Sequence, residues 1–158
     1  MNKRDRKEYK NEIQKDFEAY EQELIYFRQK YQEQITLALN YIRDNLPEKL
    51  KLKEIAKYSA LSQFHFNRIF KKVMQKTPFE YITDKRIKKA KSLLENPCLN
   101  VTEISMQVGF ESVQSFSNLF RKKVGLSPSQ YRKKILFKME AQEGNKEIIQ
   151  NSKFKTQN

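Results

Sequence analysis

The sequence predicts an all-α chain: an amphipathic N-terminal helix, then two helix-turn-helix subdomains joined by a long linker helix. Three observations carry that expectation. Across 158 residues there are 3 Gly and 4 Pro, which leaves little from which to build tight β-hairpins or Gly-rich phosphate loops. The four prolines form two pairs, Pro47 with Pro97 and Pro78 with Pro128, each 50 residues apart, as one unit used twice would leave them. Apolar residues recur at spacings of three and four, the period of a helix face.

The first element is the stripe Ile13, Phe17, Tyr20, Leu24, Phe27 and Tyr31, spaced 4, 3, 4, 3, 4. It suits either a coiled coil with a second copy, a homodimer through residues 13–31, or an amphipathic helix packed on its own domain. The flanking charges are equivocal. In a parallel pair Glu23 would face Arg28 favourably, but Asp16 would face Glu21 unfavourably. Residues 1–34 are thus expected to form a helical arm, and Ile35 to Leu46 the next helix.

The repeat in the rest of the chain extends beyond the prolines. Reading 62–81 against 112–131 aligns Ser62 with Ser112, Phe66 with Phe116, Phe70 with Phe120, Lys72 with Lys122 and Tyr81 with Tyr131. Upstream the offset becomes 49, with Glu54 on Glu103, Ile55 on Ile104, Ala56 on Ser105 and Ala60 on Gly109, so Glu111 is the inserted residue. In the second copy Asn100 and Glu103 have the spacing of a capping box, and Gly109 permits the positive φ that ends a helix. Ser112 then caps a helix with Phe116, Leu119, Phe120 and Lys123 at helical spacing, and Gly125 stops it. The first copy has Ala60 in the turn, Ser62 as cap and Phe66, Ile69, Phe70 and Val73 as the buried stripe. Small residues at Ala56 and Ser105 let the second helix approach the first, a pattern that resembles the helix-turn-helix. Between the copies, residues 79–95 place Tyr81, Ile82, Ile87, Ala90, Leu93 and Leu94 on one side of a linker helix that Pro78 opens and Asn96-Pro97 closes.

Charge and side-chain inventory narrow the function. With 32 Lys+Arg against 19 Asp+Glu the net charge is +13, and residues 47–136 alone hold 19 basic and 7 acidic side chains. A polyanion would relieve that self-repulsion; nucleic acid is the leading partner and an anionic membrane surface the second. No apolar run is long enough to span a bilayer, and no secretory leader is visible, so a cytoplasmic, nucleoid-associated location is expected. One Cys and one His leave no metal set, and no nucleophile–base pair or Gly-rich loop points to an enzyme; neither metal nor cofactor is expected. His65 beside Phe66 suits packing or capping, and Cys98 is incidental.

The stretch from Ile35 to Tyr131 resembles the DNA-binding domain of the AraC/XylS family of bacterial transcription regulators. The resemblance is strongest over Glu103 to Phe110 and Ser115 to Arg132, and Arg86-Ile87 with Ala90 and Leu93-Leu94 resembles the family's linker helix. It implies a double helix-turn-helix domain over 35–136, with a first unit at 35–78, the linker helix at 79–95 and a second unit at 97–136; residues 137–158 are expected to be a polar, disordered tail. The implied function is sequence-specific DNA binding that regulates transcription, most often activation, with double-stranded DNA and RNA polymerase as partners. A non-specific architectural DNA binder and a protein-interaction adaptor are the alternatives.

By position in the resemblance, Gln63, Phe64, Asn67 and Arg68 in the first unit and Val113, Gln114, Ser117 and Asn118 in the second are the candidate base contacts. Asn suits adenine, Arg suits guanine, and an apolar side chain can meet a thymine methyl. Lys71, Lys72, Arg121, Lys122 and Lys123 are the candidate phosphate contacts, which position the protein without reading sequence. Two departures fall in the first unit. Lys51 stands where the family usually has a Ser or Thr cap, and Gln75 where it has Gly, so the first unit is expected to be the less stable half.

Overall fold

The computed structural model describes residues 3–139 and 141, and among them every regular element is a helix. In chain order these are α1 (Lys3–Lys30), α2 (Gln32–Asp44), α3 (Leu52–Tyr58), α4 (Gln63–Met74), α5 (Pro78–Leu94), α6 (Val101–Gln107) and α7 (Val113–Val124), followed by α8 over 128–139. The expected tail is helical over 137–139, and its remaining residues other than 141 lie outside the described part. The helix expected from Ile35 begins three residues earlier, at Gln32. The chain passes from α1 to α2 through Tyr31 alone, whose backbone N–H is still bonded to Phe27 O at 3.1 Å.

Local chemistry sets most of these bounds. The Asn100 side chain accepts the Glu103 N–H at 2.8 Å while the Glu103 carboxylate accepts the Asn100 N–H at 2.8 Å, a complete capping box for α6. The Ser62 and Ser112 hydroxyls cap α4 and α7, accepting from His65 N and Ser115 N at 3.3 and 3.1 Å. Lys51 caps α3 with no side-chain bond to the backbone, and its ammonium reaches Glu54 instead at 3.2 Å. Both turns have left-handed residues, Ala60 at φ 55° and Gly109 at φ 92°, and both are closed by equivalent bonds: Leu61 N to Ala56 O at 3.0 Å and Phe110 N to Ser105 O at 2.9 Å. At the far ends of α4 and α7 the left-handed position falls to Gln75, φ 56°, and Gly125, φ 84°. Gly accepts that conformation freely, whereas Gln75 bears a Cβ cost of about 1–2 kcal/mol. Its amide offsets part of this by donating to Lys72 O at 2.8 Å.

The chain divides into two compact units, one ending at Ile82 and the other beginning at Thr83. The core of the first joins Ile35, Ala38 and Ile42 of α2, Ile55 and Ala56 of α3, Phe66, Ile69, Phe70 and Val73 of α4, and Ile82. The core of the second joins Ile87, Ala90 and Leu94 of α5 with Ile104, Val108, Phe116 and Phe120. The aromatic packing repeats almost ring for ring. Phe66 meets Phe70 at 5.3 Å and Phe70 meets Tyr81 edge-on at 5.6 Å; Phe116 meets Phe120 at 5.5 Å and Phe120 meets Tyr131 edge-on at 5.4 Å. Each such pair adds about 0.5–1.5 kcal/mol beyond the area it buries.

Helix α5 runs unbroken through the boundary, and at a rise of 1.5 Å per residue its 17 residues measure roughly 25 Å. A capping box starts it: Thr77 Oγ1 accepts Glu80 N–H at 3.2 Å and Glu80 accepts Thr77 N–H at 2.8 Å. The same device recurs 50 residues on, where Ser127 and Gln130 exchange bonds of 2.9 and 3.3 Å at the start of α8.

Candidate nucleic-acid interface

Within the first unit α4 is the second helix of a helix-turn-helix, and its burial is sharply one-sided. Phe66, Ile69 and Phe70 are fully buried, and the opposite face presents Gln63, Phe64, Asn67, Arg68 and Lys71 to solvent. Phe64 is 82% exposed on that face. Within the second unit α7 repeats the arrangement, with Phe116 and Phe120 inward, Val113, Gln114 and Asn118 exposed and Ser117 partly so. The Gln114 amide donates to Asn118 Oδ1 at 3.2 Å, which pre-orders two amides on one face while leaving each with further donors and acceptors.

The cations at these helix ends differ in their surroundings. Lys71, Arg121 and Lys122 are exposed. Lys72 is ion-paired with Glu23 of α1 and lies 4.3 Å from the centre of the Phe27 ring. Lys123 is ion-paired with Asp84 at 2.8 Å. The five cations grouped together by sequence thus divide into three open to an incoming phosphate and two already neutralised. The bond that engages Lys72 joins residues 49 apart, and no periodicity could have shown it.

Helix α1 lies along the flank of α4 with opposite chain direction. Tyr31, just past the end of α1, reaches the His65 ring near the start of α4 at 3.4 Å, and Tyr20 accepts from the Gln75 amide at the end of α4 at 3.2 Å. The stripe is therefore split. Leu24, Phe27 and Tyr31 are partly buried, the last two against the first core, while Ile13, Phe17 and Tyr20 are exposed. Of the two roles expected of His65, packing is the one seen: its ring meets Tyr31 edge-on at 5.6 Å, while Ser62 is the residue that caps α4.

Two further residues hold the second unit. Arg132 of α8 donates to Leu94 O at 3.3 Å and to Leu99 O at 2.6 Å, satisfying carbonyls at the end of α5 and in the loop beyond it. The Arg86 guanidinium lies 5.8 Å from the Phe110 ring; burial pulls its pKa below the ordinary value and Glu111 pulls it back up, and it stays charged. Glu111 is the extra residue of the second copy, and its charge acts on Arg86. Among the described residues no cluster of three His, Cys, Asp or Glu could hold a metal, and no helix is long and apolar enough to cross a membrane.

Two near-duplicate helix-turn-helix units on a strongly basic segment define a protein of the double helix-turn-helix class. A family model described as a helix-turn-helix domain matches residues 55–134, half of the chain. The chain belongs to the AraC-type helix-turn-helix family of transcription regulators. It is 37% identical over 98 residues to the HTH-type transcriptional activator AarP of Providencia stuartii, a match covering 62% of this chain and 73% of AarP. Among solved structures, an AraC-type transcriptional regulator from Chromobacterium violaceum superposes with a TM-score of 0.60 at 28% identity over 64% of this chain and 90% of that one. The DNA-binding domain of the global transcriptional factor AdpA, solved with a target DNA, superposes with a TM-score of 0.58 at 26% identity over 60% and 86%. Against other curated bacterial regulators the chain spans about a third to just under half of their length.

Proposed function

We propose that the protein is a sequence-specific regulator of transcription, acting as an activator, whose helices α4 and α7 enter successive major grooves of one duplex. The carrying observation is the repeated pattern of α4 and α7: each buries a Phe pair and turns a polar face outward within a segment of 19 basic and 7 acidic residues. The activator role is supported by the likeness to AarP, and duplex DNA as partner by the likeness to the AdpA domain. Gln63, Phe64, Asn67, Arg68, Val113, Gln114, Ser117 and Asn118 meet base edges, and Lys71, Arg121 and Lys122 meet phosphates. Lys72 and Lys123 exchange a carboxylate partner for a phosphate on binding. Adjacent major-groove faces are about 34 Å apart, the interval that α4 and α7 would have to span on one duplex. RNA polymerase and a second copy of the chain are the protein partners, and the site of action is the nucleoid in the cytoplasm.

Mapping bound sites across the native host's genome, followed by footprinting of the purified chain on one of them, tests this reading. Protection over about two helical turns, resistant to shuffled competitor duplexes, is the expected result. Protection of a single groove would overturn the two-groove geometry. Equal competition by shuffled duplexes would mark a non-specific architectural binder instead.

A further inference from the structure

Helix α1 is 28 residues long, and only its last part meets the domain. Because α1 and α4 run in opposite directions and Tyr20 already reaches Gln75 at the end of α4, the residues before Tyr20 project past it. That projection measures roughly 25 Å at 1.5 Å per residue, and residues 5–20 are exposed throughout. It carries Tyr9, Ile13, Phe17 and Tyr20, which are 58%, 51%, 56% and 47% exposed. Ile13, Phe17 and Tyr20 continue the stripe that Leu24, Phe27 and Tyr31 turn towards the domain. A stripe of this kind in water marks a surface that something covers.

The charges along α1 say what. Before Ile13 bases outnumber acids, Arg6, Lys7 and Lys10 standing with Asp5 and Glu8, whereas Glu12, Asp16, Glu18, Glu21 and Glu23 accompany or follow the stripe, with Lys15 the only base between 11 and 23. Two copies laid in the same direction set Asp16 against Glu21. The one favourable parallel contact, Glu23 with Arg28, is lost because Glu23 holds Lys72 and the stripe beyond it faces its own domain. Reversing one copy changes the balance. With Ile13 against Phe17 of the second copy, Lys10 falls beside Tyr20, and Lys7 faces Glu21 at both ends of a two-fold pair. One like-charge contact remains, Asp16 with its own symmetry mate, against two Lys7–Glu21 pairs.

We propose that residues 7–21 of α1 pair antiparallel with the same residues of a second copy. The pairing does not require DNA. Its use on an operator rests on the DNA-binding reading: the short seam is weak between free chains and effective between two chains held on neighbouring sites.

The test uses the full chain carrying Cys98→Ser, with Lys10→Cys or Tyr20→Cys added. Under mild oxidation a mixture of the two variants is expected to give a cross-linked pair joining position 10 to position 20, while neither variant links to itself. Self-linking of the Tyr20→Cys chain would establish a parallel pair and overturn the proposal. Absence of any cross-link at several hundred micromolar would overturn it outright. Phe17→Glu, added to both partners, is expected to bring the cross-linked yield to background while leaving affinity for a single-site duplex unchanged. Loss of single-site binding by that variant would show that the stripe serves the domain itself, and would also overturn the proposal. A failure of the DNA-binding reading is separate: the unsubstituted chain would ignore duplexes while the cross-link still formed.

Discussion

Arg68 and Lys71 share one exposed face of α4, yet they should fail differently when removed. A base contact carries sequence preference and a phosphate contact does not. Arg68→Ala, or Gln114→Ala on α7, is expected to relax preference at one base pair by about 1–3 kcal/mol, read by competition against duplexes varied one position at a time. An equal loss on every sequence would disprove the assignment. Lys71→Ala is expected to weaken all duplexes alike and to reduce the slope of log affinity against log salt by about 1. Lys72→Ala should change that slope less than Lys71→Ala, because Lys72 must first leave Glu23. In a Glu23→Gln chain the difference between the two lysine variants should disappear, and titration at several salt concentrations checks this.

The start and stop signals of the helices give the next level of prediction. The second unit has a full capping box at Asn100 and a left-handed Gly125, with open space around the position a Cβ would take. The first has an uncapped start at Lys51 and Gln75 in the left-handed position. Asn100→Ala is expected to cost about 1 kcal/mol, and Lys51→Ser to add a similar amount, both read as shifts of the urea midpoint at unchanged slope. Most of this was legible in the sequence because caps and turns are decided by residues within four positions of one another. Thr77 with Glu80 and Ser127 with Gln130 carry the same legible signal at the starts of α5 and α8, beside the more conspicuous prolines. The division of the α1 stripe could not be read. A heptad pattern states that a face is apolar and not which neighbour covers it, and the contacts that decide, Glu23 with Lys72 and Tyr31 with His65, join residues 49 and 34 apart. The candidate base contacts were legible as an outward face; the engagement of Lys72 and Lys123 was not, for the same reason.

At the level of the whole molecule, the proposed two-groove binding would make α5 the element that sets phase. Each residue inserted into α5 turns the C-terminal part of the chain by about 100° and advances it by 1.5 Å. One alanine inserted between Ile82 and Thr83 is therefore expected to reduce affinity for a two-groove site towards that of one unit alone. Four alanines, close to a full turn, should restore part of it, and a footprint shrinking to one groove and widening again would be the sign. Should both insertions bind like the parent, α5 would not be setting the phase.

The same helix lends Ile82 to one core and Ile87, Ala90 and Leu94 to the other. Each core depends on its own stretch of α5, so a cut made through that helix would strip apolar cover from both. Anyone wanting a single reading head from this chain is better served by blunting the face of α4 or α7 than by sawing the molecule in two.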